Sequence, residues 1–159
     1  MAVRRSVVMD TGGLNDYSRR FAEYLFSAFP QWEPLAGVDE AKGVTPVVLL
    51  VEVPAPVPSA DGVDRGLLIS THKDEITVRF DRHHSHSGWS DRPDEEAFAG
   101  AVGFIEDVLE QRVKLVVSMN GNEWVCSNII GVREGPEILA GQRTCVRSWA
   151  GKFDAEYHA

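Results

Sequence analysis

A chain of 159 residues with 43% hydrophobic and 25% charged side chains has the composition of one ordinary globular domain, which excludes a disordered or fibrous class. At that length folding buries roughly two-thirds of the surface the unfolded chain exposes, so a core forms without a stapling metal. The formal net charge of −8 repels nucleic acid and anionic membrane surfaces, which are held by clustered Lys and Arg, and makes a cationic partner the natural counterpart.

Near the start, Arg4 and Arg5 precede only the short apolar run Val7-Val8-Met9, too brief for a signal peptide. No stretch reaches the roughly eighteen apolar residues of a membrane-spanning helix, and a cytoplasmic location is expected. From Leu14, the residues Tyr17, Phe21, Tyr24, Leu25 and Ala28 recur at three- and four-residue steps, which predicts a helix that Pro30 closes. Trp32 and Leu35 are expected to cap the core beyond it. The β-branched run Val47 to Val53, bounded by Pro46 and Pro54, reads as a buried strand. Pro54, Pro56 and Pro58 then impose a surface loop reaching Asp64, because proline lacks the N–H that a sheet ladder requires.

Leu67 to Thr71 and Ile76 to Phe80 flank the polar stretch His72 to Glu75, the pattern of a hairpin. Alternation in the second strand leaves Thr77, Arg79 and Asp81 on its wet face. Past a histidine-rich link, Ser90 or Asp91 caps a second helix whose first turn holds Pro93, Asp94, Glu95 and Glu96, acids suited to the positive end of the helix dipole. Its apolar stripe is Phe98, Ala101, Val102, Ile105, Val108 and Leu109. Val113 to Met119 and Glu123 to Ile130 form a second hairpin about Asn120-Gly121, and Arg143 to Trp149 is the final strand before a polar tail. This order predicts a single α+β domain over residues 1–159, with a mainly antiparallel sheet of five or six strands and two helices packed on one face.

The segment Asp81-Arg82-His83-His84-Ser85-His86-Ser87-Gly88-Trp89 is chemically unusual. In an extended conformation His84 and His86 project to one face, where their nitrogens can hold a Zn²⁺ at about 2.0–2.1 Å, while Asp81 and His83 share the other. A small metal-dependent enzyme built on Asp81, His84 and His86 is therefore one reading. Against it, no second HxH, HxxxH or CxxC supplies further ligands, and His72 and His158 are distant. The plainer alternative is a set of polar loop residues packing against Trp89. No GxSxG elbow, catalytic cysteine signature or phosphate-binding glycine loop is present, so no cofactor is expected. Cys126 and Cys145 read as small buried hydrophobes, and burial is favoured for Trp124, whereas Trp89 is the better contact residue.

The strand Glu75 to Asp81, the following His84-Ser85-His86, an acidic helix containing Phe104-Ile105-Glu106-Asp107 and the closing Arg147-Ser148-Trp149-Ala150-Gly151-Lys152-Phe153-Asp154 together resemble small bacterial immunity proteins of polymorphic toxin systems. The resemblance covers the chain from Leu67 onward. It implies a cytoplasmic, non-enzymatic inhibitor that covers the active site or a functional surface of a cognate protein toxin. Asp81, His83, His84, His86, Trp89, Asp91, Asp94, Glu95 and Glu96 are the expected partner-binding residues, and a basic toxin suits their charge.

Overall fold

The structure, a computed structural model, describes residues 11–39, 48–58, 61–88 and 91–159. Arg4, Arg5, Val47, Trp89 and Ser90 lie outside the described residues. The fold is α+β, with a five-stranded antiparallel sheet, as expected, and a second sheet of four strands. Two compact units are formed: residues through Pro54 with Gly66–Arg79 and His84–Val102 make the first, and Ala55–Arg65, Phe80–His83 and Gly103–Ala159 make the second.

In the first unit, α1 (Asp16–Ala28) begins where Asn15 Oδ1 accepts the Ser18 N–H at 2.7 Å, which satisfies one donor of the opening turn. Tyr17, Phe21, Ala22 and Leu25 form its buried side, while Tyr24 is exposed. A 3₁₀ segment, Pro30–Leu35, follows. In it Trp32 is buried and stacks on Phe29 with ring centroids 4.2 Å apart, whereas Leu35 stays exposed.

The larger sheet runs β1 (Ala36–Asp39), β2 (Val48–Val53), β3 (Leu67–His72), β4 (Glu75–Phe80) and β5 (His83–Gly88), each beside the next. From β3 to β5 the sequential order follows from short connections, the two-residue turns at Lys73-Asp74 and at Asp81-Arg82. Leu49, Val51, Ile69, Ile76 and Val78 give the sheet its buried apolar face. Helix α1 is tied to it through Ser18 Oγ, 2.6 Å from Thr71 Oγ1, which also accepts the Leu49 N–H at 3.1 Å. These buried hydroxyls are thus fully engaged, as burial requires. Helix α2 (Asp94–Leu109) contributes Phe98, whose ring lies 5.2 Å from that of Tyr17 and 5.4 Å from that of Phe21. Each such pair adds about 0.5–1.5 kcal/mol beyond the area it buries.

In the second unit the order is β7-β6-β8-β9, from β6 (Val113–Asn120), β7 (Glu123–Gly131), β8 (Arg143–Arg147) and β9 (Ala155–His158). Gly121, at φ 58°, and Asn122 close the β6–β7 hairpin between the paired Asn120 and Glu123. Leu115, Val117, Met119, Cys145 and Trp149 are buried in this unit with Phe80, Ile105 and Val108. The polar tail contains β9, which pairs with β8 from Arg143↔His158 to Val146↔Ala155. Its partnership is made by backbone groups at a sheet edge, so side-chain polarity does not oppose it.

Candidate functional site

The histidine-rich segment is a turn and a strand rather than an irregular link. After Phe80 the chain reverses over Asp81-Arg82, with Asp81 at φ 54°, a left-handed conformation that Asp tolerates better than most residues. It then returns beside β4 as β5, an edge strand of the larger sheet. At the end of β5, Gly88 has φ 116°, and a Cβ there would stand 2.3 Å from the Asp74 carbonyl oxygen and 3.1 Å from Glu75 Cα. Only glycine permits that approach of backbone to backbone.

Asp81 does not project into solvent. It is 5% exposed and faces Arg65, equally buried, with Oδ2 3.9 Å from Nε. Neither of these two atoms has a hydrogen-bonding partner, because the guanidinium makes its close contacts elsewhere, 2.7 Å from Asp154 Oδ2 and 3.4 Å from the Ser148 carbonyl oxygen. Burial raises the pKa of Asp81 above the usual carboxylate range, outweighing the Arg82 N–H, Arg65 and Arg147, which all favour the charged form. The expectation that Asp81 belongs to a wet, partner-facing surface is therefore corrected: the turn carries its carboxylate into the second unit's interior. His83 is half-buried there too, with Nδ1 3.3 Å from Ser127 Oγ and its ring 6.5 Å from that of Phe104.

The remaining two histidines come together on the first unit. Alternation along β5 exposes His84 and His86, whose ring centroids are 5.0 Å apart at an interplanar angle of 79°. On neighbouring β4, Glu75 is 8% exposed yet well engaged. Its Oε1 accepts from Thr77 Oγ1 at 3.2 Å and pairs with His86 Nδ1, which also lies 3.1 Å from Thr77 Oγ1. An ionised carboxylate is only an acceptor, so His86 Nδ1 is the donor in this arrangement, and in the neutral imidazole Nε2 carries the lone pair. Sequence reading missed Glu75 because it is eleven positions from His86 and meets it only across the sheet.

At the start of α2, Asp91, Glu95 and Glu96 are exposed. Asp94 is half-buried and bonded to Arg20, which also lies 3.9 Å from Glu95 and stands over the Phe98 ring at 5.7 Å. Arg92 reaches Glu96 at 3.8 Å. The acidic face is thus partly neutralised by cations of its own unit, while Asp91, Glu95 and Glu96 stay exposed. Trp89, the expected aromatic contact, lies outside the described residues.

A separate surface occupies the second unit. Trp124, at 49% exposure, and Val125, at 43%, stand on edge strand β7, and Cys126 is exposed as a free thiol. The expected burial of Trp124 and of Cys126 is corrected: β7 is the edge strand of its sheet and every residue from Glu123 to Cys126 is exposed, while a bulge opposite Ser118 and Met119 leaves Val125 over and breaks the two-residue alternation. Cys145, on the inner strand β8, is buried as expected. Cys126 lines a cleft of about 200 Å³ with Val116, Ser118, Asn128, Glu137 and Leu139.

Among the described residues, no set of three or more His, Cys, Asp and Glu side chains converges as a metal centre, and no helix is long and apolar enough to cross a membrane. Asp81, occupied with Arg65, belongs to the second unit, whereas His84 and His86 belong to the first. Comparisons with protein-family models, curated proteins and solved structures found no match to this chain.

Proposed function

We propose that this protein is a non-enzymatic binding module that neutralises a basic protein partner, acting as an immunity protein toward a cognate toxin in the cytoplasm. The observation that carries the reading is the concentration of exposed polar groups on one continuous stretch of the first unit: His84 and His86 on edge strand β5, then Asp91, Glu95 and Glu96 at the start of α2. An edge strand offers unpaired backbone groups to a partner, and flanking acids steer a cationic surface toward it and fix its orientation. The net charge of −8 adds a long-range attraction of the same sign.

Co-purification of the full chain from its native host under toxin-producing conditions, with identification of the bound chain, tests this reading. A stoichiometric basic partner is expected, and the triple variant Asp91→Lys, Glu95→Lys, Glu96→Lys should lose it. Recovery of no partner, or equal capture by the triple variant, would overturn the proposal.

A further inference from the structure

We propose that His84 and His86, braced by Glu75, form an open binding site for a borderline divalent transition-metal ion such as Zn²⁺ or Cu²⁺. Imidazole is a favoured ligand for both ions, and the two rings already stand side by side on one face of β5. Two imidazoles bound tetrahedrally to one zinc, each with a Zn–N distance of about 2.0–2.1 Å, bring their ring centroids to about 5 Å. The observed separation is 5.0 Å.

The Glu75 contact is the second, independent observation. A histidine that ligates a metal characteristically donates its other ring N–H to a carboxylate, which fixes the tautomer and raises the basicity of the ligating nitrogen. His86 has that partner at Nδ1, and the Thr77 hydroxyl donates to the same carboxylate oxygen. Glu75 is thereby a positioning residue, and the ligating atom of His86 is Nε2. The sequence alternative drew its carboxylate from Asp81; the fold supplies Glu75 instead. Arg79, exposed on β4, places a positive charge on the same strand as Glu75. Its exposure screens that charge, whereas the buried Glu75 carboxylate is in direct contact with His86.

Two protein ligands leave the other coordination positions to water, so the bound ion exchanges readily and no closed centre is needed. This inference stands apart from the partner-binding reading, since it requires only the purified chain and the metal ion.

Isothermal titration of the full chain with zinc chloride, and separately with copper sulfate, is the test. One saturable equivalent is expected. His84→Ala and His86→Ala should each weaken binding at least about tenfold, and Glu75→Gln, nearly isosteric and still folded by circular dichroism, about 10–100-fold. His72→Ala and His158→Ala should leave binding unchanged. Zinc should also shift the Nε2 resonance of His86 rather than Nδ1 in ring-nitrogen NMR spectra. Absence of saturable binding, binding that survives loss of both His84 and His86, or a metal on Nδ1 would each overturn the proposal.

Discussion

Asp81 and His86 lie five positions apart, yet the turn at Asp81 and the strand around His86 obey opposite rules. Asp81 is buried beside Arg65, an ion pair loose enough that its facing atoms are left without hydrogen bonds. Glu75, nearly as buried, has its carboxylate taken up by Thr77 and His86, and those partners lead outward to an exposed pair of imidazoles. Burial alone therefore does not make a carboxylate structural. What decides is whether its partners end inside the fold, as Arg65 does, or at the surface, as His86 does.

The largest effect is expected where the interior pair is broken. Arg65 holds Asp81, Asp154 and the Ser148 carbonyl, so it ties the Asp81 turn to the segment after β8. Arg65→Met leaves two carboxylates without their counter-charge, and about 3–5 kcal/mol of stability should be lost in urea unfolding. A loss below about 1 kcal/mol would remove the contrast between the two regions. Next in size is Gly88→Ala. A methyl group 2.3 Å from the Asp74 carbonyl oxygen, at φ 116°, forces the end of β5 away from β4 and should cost about 1–3 kcal/mol, read as a lowered thermal midpoint. An unchanged midpoint would mean that β5 is not held against β4 at Asp74 and Glu75.

Asp81→Asn has a smaller effect and a characteristic pH dependence. Because burial raises the folded-state pKa of Asp81, the folded protein binds the proton more readily than the unfolded chain. Stability therefore falls as pH rises from the ordinary carboxylate range through the raised value, where the carboxylate becomes charged while still buried. Asn keeps the left-handed backbone and cannot ionise. The variant should gain stability relative to the parent across that window and hold a constant advantage above it, as measured by urea unfolding at a series of pH values. The opposite slope would mean that attraction to Arg65 outweighs desolvation.

Much of this architecture was legible from periodicity. The stripe Tyr17, Phe21 and Leu25 marked α1, the β-branched run ending at Val53 marked β2, and both hairpins were placed by their turns. The antiparallel α+β class followed from that order. What escaped were features set by partners distant in sequence. Strand β9, Ala155–His158, has no fully buried side chain, and its existence depends on β8 alone. The exposure of Trp124 follows from the place of β7 at the edge of its sheet, which leaves no local mark. In the candidate site, the shared face of His84 and His86 was visible because a strand repeats every two residues. The identity of their carboxylate was not, since Asp81 was near in sequence while Glu75 was near in space.

The smallest expected effect lies on the exposed side of the contrast. His84 stands exposed on an edge strand with its ring beside that of His86, the histidine that meets Glu75. His84→Ala should therefore change stability by no more than about 0.5 kcal/mol, as surface substitutions away from caps, cores and buried networks do. Urea unfolding without added metal measures this directly. With zinc present the parent should gain stability by preferential binding to the folded form, and the variant should gain far less. A large loss without metal would place His84 among the residues that hold the fold, as Arg65 does, and the division between an interior anchor and an exposed working face would then fail at its outer half.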